Sequence, residues 1–104
     1  MDACWIYMTA SSTEEAQRLG RALVEERLAA CANVIPGMMS CYHWQGKVEE
    51  AQEAVLIAKT RRDLVDALTA RVKALHSYTV PCVLALPVLG GNPDYLRWIA
   101  EETR

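Results

Sequence analysis

Glu25-Glu-Arg-Leu-Ala-Ala-Cys-Ala-Asn-Val-Ile-Pro36 is a charged helix end that passes into an apolar strand with no Gly, Asp or Ser turn between them. That handover fixes the local topology. It also brings Cys31 and Asn33 to the start of a strand, where polar groups among Ala, Val and Ile must be satisfied or serve a purpose.

Upstream, Ala3 to Thr9 is a continuous apolar run, which predicts a buried strand. Ser12-Thr-Glu-Glu15 reads as a capping box opening a helix. Its stripe is Ala16, Leu19, Leu23 and Leu28, with Gln17, Arg18, Arg21 and Glu25 outside. Downstream, the strand from Cys31 bends at Pro36-Gly37 and continues to Trp44, and Gln45-Gly46 closes a hairpin into Lys47 to Thr60. The polar run Glu49 to Glu53 predicts irregular pairing there. Thr60-Arg-Arg-Asp63 reads as a second capping box, followed by Leu64, Leu68, Val72 and Leu75 at helical spacing and a stop at His76-Ser77. Val80 to Leu89 is expected to form a last long strand, with Pro81 and Pro87 at its ends, an edge or a bulge. After Gly90-Gly91, Asn92-Pro93 starts a short helix ending near Glu102.

The expected fold class is α+β: a ferredoxin-like split βαβ, in order βαββαβ plus a short C-terminal helix, with both main helices on one face of an antiparallel sheet. At 104 residues the chain is expected to be one domain, 1–104. Sheets of this kind normally alternate apolar and polar residues. Here both faces are apolar: Cys4, Ile6 and Met8 oppose Trp5 and Tyr7, Val55 and Ile57 oppose Leu56 and Ala58, and Leu84 and Leu86 oppose Val83 and Ala85. Helices cover one face only, so an oligomer burying the other is expected.

Composition narrows the function classes. With 52% hydrophobic and 23% charged residues the chain falls among globular proteins. Net charge is −2 with both signs interleaved, so no basic stripe is available for nucleic acid. No apolar run approaches the roughly 20 residues that span a bilayer, and the acidic start Met-Asp-Ala-Cys lacks the form of a signal peptide. A cytoplasmic location without membrane contact is expected. Cys4, Cys31, Cys41 and Cys82 show no Cys-x-x-Cys or Cys-x-x-His spacing, so they read as free thiols, with Cys4 buried. Neither a carboxylate pair, a Ser-His-Asp set nor a phosphate loop is evident, which argues against an enzyme.

Single residues carry competing readings. Cys31 follows a helix C-terminus, whose partial negative charge disfavours a nucleophilic thiolate. Lys59 lies among apolar strand neighbours and needs a partner or an anion, unless it is a simple strand-end charge. His76 reads first as an imidazolium favoured by the dipole at a helix C-terminus and second as a metal ligand. His43 shares a strand face with Cys41, an incomplete metal pair. Tyr78, Tyr95 and Trp98 read as packing residues with polar tips.

The string Glu26-Arg-Leu-Ala-Ala-Cys-Ala-Asn33, then Pro36-Gly37, Ser40-x-Tyr42-x-Trp44-x-Gly46-Lys47, Lys59-Thr60, His76-x-Tyr78-x-Val80-Pro81 and Gly91-Asn92-x-x-Tyr95-Leu-x-Trp98 resembles the CutA divalent-cation-tolerance family. The resemblance covers nearly the whole chain. It implies a homotrimer similar in architecture to the PII signalling proteins, a link to divalent metals including copper, and, in a mammalian branch, a role in acetylcholinesterase assembly. One departure is Cys82, where such sequences commonly carry glutamate after Val-Pro; a thiol there would favour softer ions such as Cu(I). The expected ligand site joins Cys31, Asn33, Lys59, Tyr78 and Tyr95 across a subunit boundary and takes a small anion or metal ion. Cys31, Cys82 and His76 are its candidate metal ligands, for copper or another divalent metal. The alternatives are a protein-assembly or interaction module and, behind it, an enzyme of unknown reaction.

Overall fold

The computed structural model describes residues 2–104. Its elements are β1 (Ala3–Ala10), α1 (Thr13–Glu25), β2 (Cys31–Trp44), β3 (Lys47–Arg61), α2 (Val65–Leu75), β4 (Val83–Pro87) and α3 (Pro93–Glu101). The strands form one antiparallel sheet in the order β2-β3-β1-β4. In each βαβ unit the two strands are separated by a strand of the other unit. This is the split, ferredoxin-like arrangement.

The core follows the period-two alternation. Cys4, Ile6, Met8 and Ala10 of β1 and Ala54, Leu56 and Ala58 of β3 are buried together with Ala16, Leu19 and Leu23 of α1 and Leu68 and Val72 of α2. Gly20 lets α1 approach closely: a Cβ there would stand 3.0 Å from the Ala32 Cβ and 3.2 Å from a Leu56 methyl. The opposite sheet face carries Trp5, Tyr7, Asn33, Ile35, Val55, Ile57, Lys59, Leu84 and Leu86. α3 crosses to this second face at one end, where Ile99 packs with Ala3 and Ala30.

The turnless handover between α1 and β2 is resolved by Arg27. It takes φ +64°, the left-handed conformation usually given to glycine. Leu28 N–H then donates to Leu23 C=O and Arg27 N–H to Val24 C=O, closing a Schellman motif. The guanidinium binds the Glu102 carboxylate at 2.6 Å, and Arg104 N–H donates to Arg27 C=O, so the C-terminus holds this turn from outside. α1 therefore ends at Glu25, and Leu28 reaches the core from beyond it.

Three expectations are corrected. Thr60 does not cap α2: β3 runs on to Arg61, the buried Thr60 hydroxyl donates to Leu28 C=O at 2.7 Å, and α2 is entered through a 3₁₀ turn over Arg62–Leu64. The last strand is Val83–Pro87 rather than 80–89, because Pro81 cannot donate to a ladder and Pro87 closes it. Pairing along Glu49–Glu53 is regular; the irregularity falls at Ile35/Met38, where Pro36 and the positive-φ Gly37 bend β2.

β2 and β3 are 14 and 15 residues long, whereas β1 pairs only with β3 residues 54–61, so the hairpin projects as a two-stranded arm. The molecule measures 44 × 24 × 22 Å with a radius of gyration of 14.1 Å, above the ~13 Å of a compact chain this long. Its surface of 6498 Å² exceeds the roughly 5,800 Å² typical of a monomer of this mass. Met39, Val48 and Leu84 are 72%, 64% and 58% exposed.

Candidate functional site

The register Cys31↔Lys59↔Trp5 places these three side chains side by side on the second sheet face, beneath the start of α3. Asn92 caps α3, its side-chain oxygen accepting from Asp94 N–H, with Pro93 at the first helical position. That cap fixes the helix so that Tyr95 reaches Lys59. The Lys59 ammonium donates to the Tyr95 hydroxyl at 3.2 Å, the hydroxyl donates to Cys31 Sγ at 4.0 Å, and the Cys31 thiol donates to Asn33 Oδ1 at 3.6 Å. The Lys59 Nζ also stands 5.4 Å from the Tyr95 ring centroid.

A cavity of about 540 Å³ opens beside this relay, walled by Trp5, Leu86, Val88, Leu96 and Ile99, with Lys59 and Tyr95 as its polar end. The Tyr95 hydrogen bond raises the Lys59 pKa, outweighing the opposing effect of burial, and the nearby Cys31 adds to the rise. Lys59 forms no ion pair with a carboxylate among the described residues. The ammonium therefore ends an apolar cleft with a hydroxyl and a thiol as its polar neighbours.

Tyr78 lies elsewhere. Its hydroxyl donates to Glu53 at 2.7 Å, six residues along β3 from Lys59, or about 20 Å away. Burial, then the Glu53 hydrogen bond, pushes the Tyr78 phenol well above its usual range. Cys82 lines the same end of the sheet, and burial likewise raises its thiol pKa. Within one chain, therefore, Cys31, Asn33, Lys59 and Tyr95 meet, whereas Tyr78 and Cys82 form a second pole.

His76 is the C-cap of α2, as one reading of its position expects, and its side chain is fully buried. Tyr78 N–H can only donate, so Nδ1 accepts at 3.0 Å and the proton resides on Nε2, which donates to Thr9 C=O at 2.8 Å. Both ring nitrogens are engaged. The Nδ1 lone pair is taken by Tyr78 N–H and Nε2 carries the proton, so the ring caps the helix as a neutral imidazole rather than an imidazolium and leaves no nitrogen open to a metal in this arrangement; no three His, Cys, Asp or Glu side chains among the described residues cluster as metal ligands. The four thiols are free, with Cys4 buried.

Two residues carry more than their sequence context suggested. Glu15, read as half of a capping box, accepts instead from Ser11 N–H, the Ser11 hydroxyl and Ser77 N–H, tying the start of α1 to the loop after α2. Glu53, read as part of a polar run, is only 8% exposed. The available signal was alternation: Glu53 shares a face with Val55 and Ile57, where an apolar residue was due.

Fold and site together define a small ferredoxin-like protein with a lysine-ended apolar cleft on its sheet face. A family model described as CutA1 divalent ion tolerance protein matches residues 4–102, and the chain belongs to that family. The divalent-cation tolerance protein CutA of Thermus thermophilus is 51% identical over 98 residues, covering 94% of this chain and 95% of that protein. The chloroplastic protein CutA 1 of Oryza sativa is 50% identical over 99 residues, which is 95% of this chain and 56% of that protein. The chain thus spans about half the length of that plant relative. Among solved structures, CutA1 from Oryza sativa superposes with a TM-score of 0.97 at 47% identity, covering all of this chain and 95% of that one. The Thermus thermophilus structure gives 0.95 at 49% identity, with 98% and 99% covered.

The family is described by tolerance of divalent ions rather than by a reaction. Among the described residues no helix is long and apolar enough to cross a membrane.

Proposed function

We propose that the chain is a cytoplasmic homotrimeric binding protein, not an enzyme, that contributes to divalent-cation tolerance by holding a small anion or a metal–anion complex in clefts between subunits. The observation that carries this reading is the Lys59–Tyr95–Cys31–Asn33 relay, which ends an apolar cleft on a sheet face that one chain leaves partly uncovered. A bare divalent cation is repelled by the Lys59 ammonium; an anion, or copper carried with anionic ligands and bound through the Cys31 thiol, is not. Membership of a divalent-ion tolerance family supports the metal link. Association is supported by the exposed Ile35, Met39, Leu84 and Leu86, by the projecting hairpin arm and by the surplus surface.

On this reading the ligand set named from the sequence is completed when Tyr78 and Cys82 of one subunit meet the Lys59 pole of the next. His76 takes a supporting part by positioning Tyr78 through its backbone N–H. Lys59→Ala is expected to lower the anion and copper retained by natively purified protein about tenfold or more, and Cys31→Ser to lower copper alone, with no change in oligomer mass. Elemental and metabolite mass spectrometry read both. Retention equal to the parent's in both variants would remove the cleft assignment.

A further inference from the structure

The four thiols occupy different settings, and two of them lie at the poles that the proposed assembly joins. Cys4 is buried beneath the helices. Cys41 is exposed on the projecting arm opposite Glu50, and alternation puts it on the face away from Lys59 and Glu53. Cys31 and Cys82 are both partly exposed. Cys31 begins β2, one edge of the sheet, level with Lys59, Trp5 and Leu86. Cys82 stands just before β4, the other edge, next to the Met8↔Val83 pair. Within one chain the two residues are three strand spacings apart, about 14 Å across the sheet, and four residues, about 13 Å, along it. They cannot meet there. A three-chain ring repeats one heterologous contact, which sets opposite edges of neighbouring subunits against each other.

We infer that Cys31 of one subunit and Cys82 of the next form a reversible intersubunit disulfide under peroxide, a redox latch on the ligand cleft. The inference rests on the trimeric reading of that cleft.

The surroundings of Cys31 suit the first step. Lys59 is its register partner and the Tyr95 hydroxyl donates to Sγ at 4.0 Å. An ammonium and a hydroxyl beside the sulfur oppose the partial negative charge of the α1 C-terminus, which by itself disfavours attack. The Cys31 sulfur attacks one peroxide oxygen, the O–O bond breaks, and a sulfenic acid and one water result. Cys82 then supplies the second thiol. Burial raises its pKa, so it stays a protonated thiol until the sulfenic acid is beside it. Its sulfur bonds to Cys31 Sγ, the S–O bond breaks, and the hydroxyl leaves with the thiol proton as a second water. Two thiols are oxidised and one peroxide is reduced to two waters. A small thiol reopens the bond by exchange. Closing the latch removes Cys31 from copper, so oxidation empties the cleft of a soft metal.

The test starts from reduced, chelator-treated protein whose native mass is that of three chains. It is exposed to hydrogen peroxide, blocked with N-ethylmaleimide and run on a non-reducing denaturing gel. The parent should move from a one-chain to a three-chain band, and dithiothreitol should reverse the shift. Cys31→Ser and Cys82→Ser should each remain at one chain, whereas Cys41→Ser should link as the parent does. Cys31→Ser and Cys82→Ser chains expressed together should give a two-chain band and no three-chain band, because only one disulfide can join each such pair. No covalent species from a three-chain protein, or linking that persists in Cys31→Ser or Cys82→Ser, overturns the inference and leaves the trimer standing. A one-chain native mass before oxidation removes the trimeric reading and the latch together.

Discussion

The protein is expected to lose stability between pH 5 and pH 2, and Glu15→Gln to remove most of that loss. Burial by itself would push the Glu15 carboxyl up, but hydrogen bonds from Ser11 N–H, Ser77 and the Ser11 hydroxyl outweigh it and hold the pKa at about 2, below the usual 4.5. A carboxylate whose pKa is depressed by folding stabilises fully above its unfolded value and loses that contribution as pH falls through its folded value. The shift from 4.5 to about 2 corresponds to about 3 kcal/mol, lost across that window. Urea unfolding at pH 7, 4 and 2.5 should show the parent losing this increment and Glu15→Gln losing little of it. Parallel pH profiles for the two proteins would show that Glu15 does not act this way. At pH 7 the variant should be the less stable, because a neutral amide serves three donors less well than a carboxylate.

Leu56→Ala should be as damaging for a different reason. Leu56 is fully buried at the centre of β3, paired with Met8 on one side and Val34 on the other, and it closes against α1 opposite Gly20. Removing its side chain leaves a cavity between two rigid layers, costing about 2–5 kcal/mol. For a chain this short the midpoint of thermal unfolding should fall by roughly 10 °C or more. The comparison must be made at equal chain concentration, since association raises apparent stability. A fall of only a degree or two would mean that α1 and the sheet repack freely around the site.

Element order, the hairpin and the two-faced sheet were legible because each rests on local signals: Ser12 and Asn92 at helix starts, Gly46 after a positive-φ Gln45, and alternation along β1 and β3. What was not legible depended on contacts distant in sequence. Thr60 has the form of a cap, but its hydroxyl goes to Leu28 C=O, 32 residues away, and this keeps β3 extended past it. Arg27 adopts a glycine-like conformation held by Glu102 and Arg104, which no window around residue 27 contains. The same division holds for the site. Cys31, Asn33 and Lys59 could be grouped from strand position, whereas the separation of Tyr78 from them depends on where the loop between α2 and β4 turns. Glu53 was passed over because a polar run reads as solvated surface until burial is known.

Native mass spectrometry of gently purified protein reads assembly and bound ligand in one spectrum. A species of three 11.6 kDa chains is expected, carrying extra mass that is lost from Lys59→Ala while the three-chain assembly persists. A stable 11.6 kDa monomer at micromolar concentration, or an assembly whose bound mass is indifferent to Lys59, would contradict it.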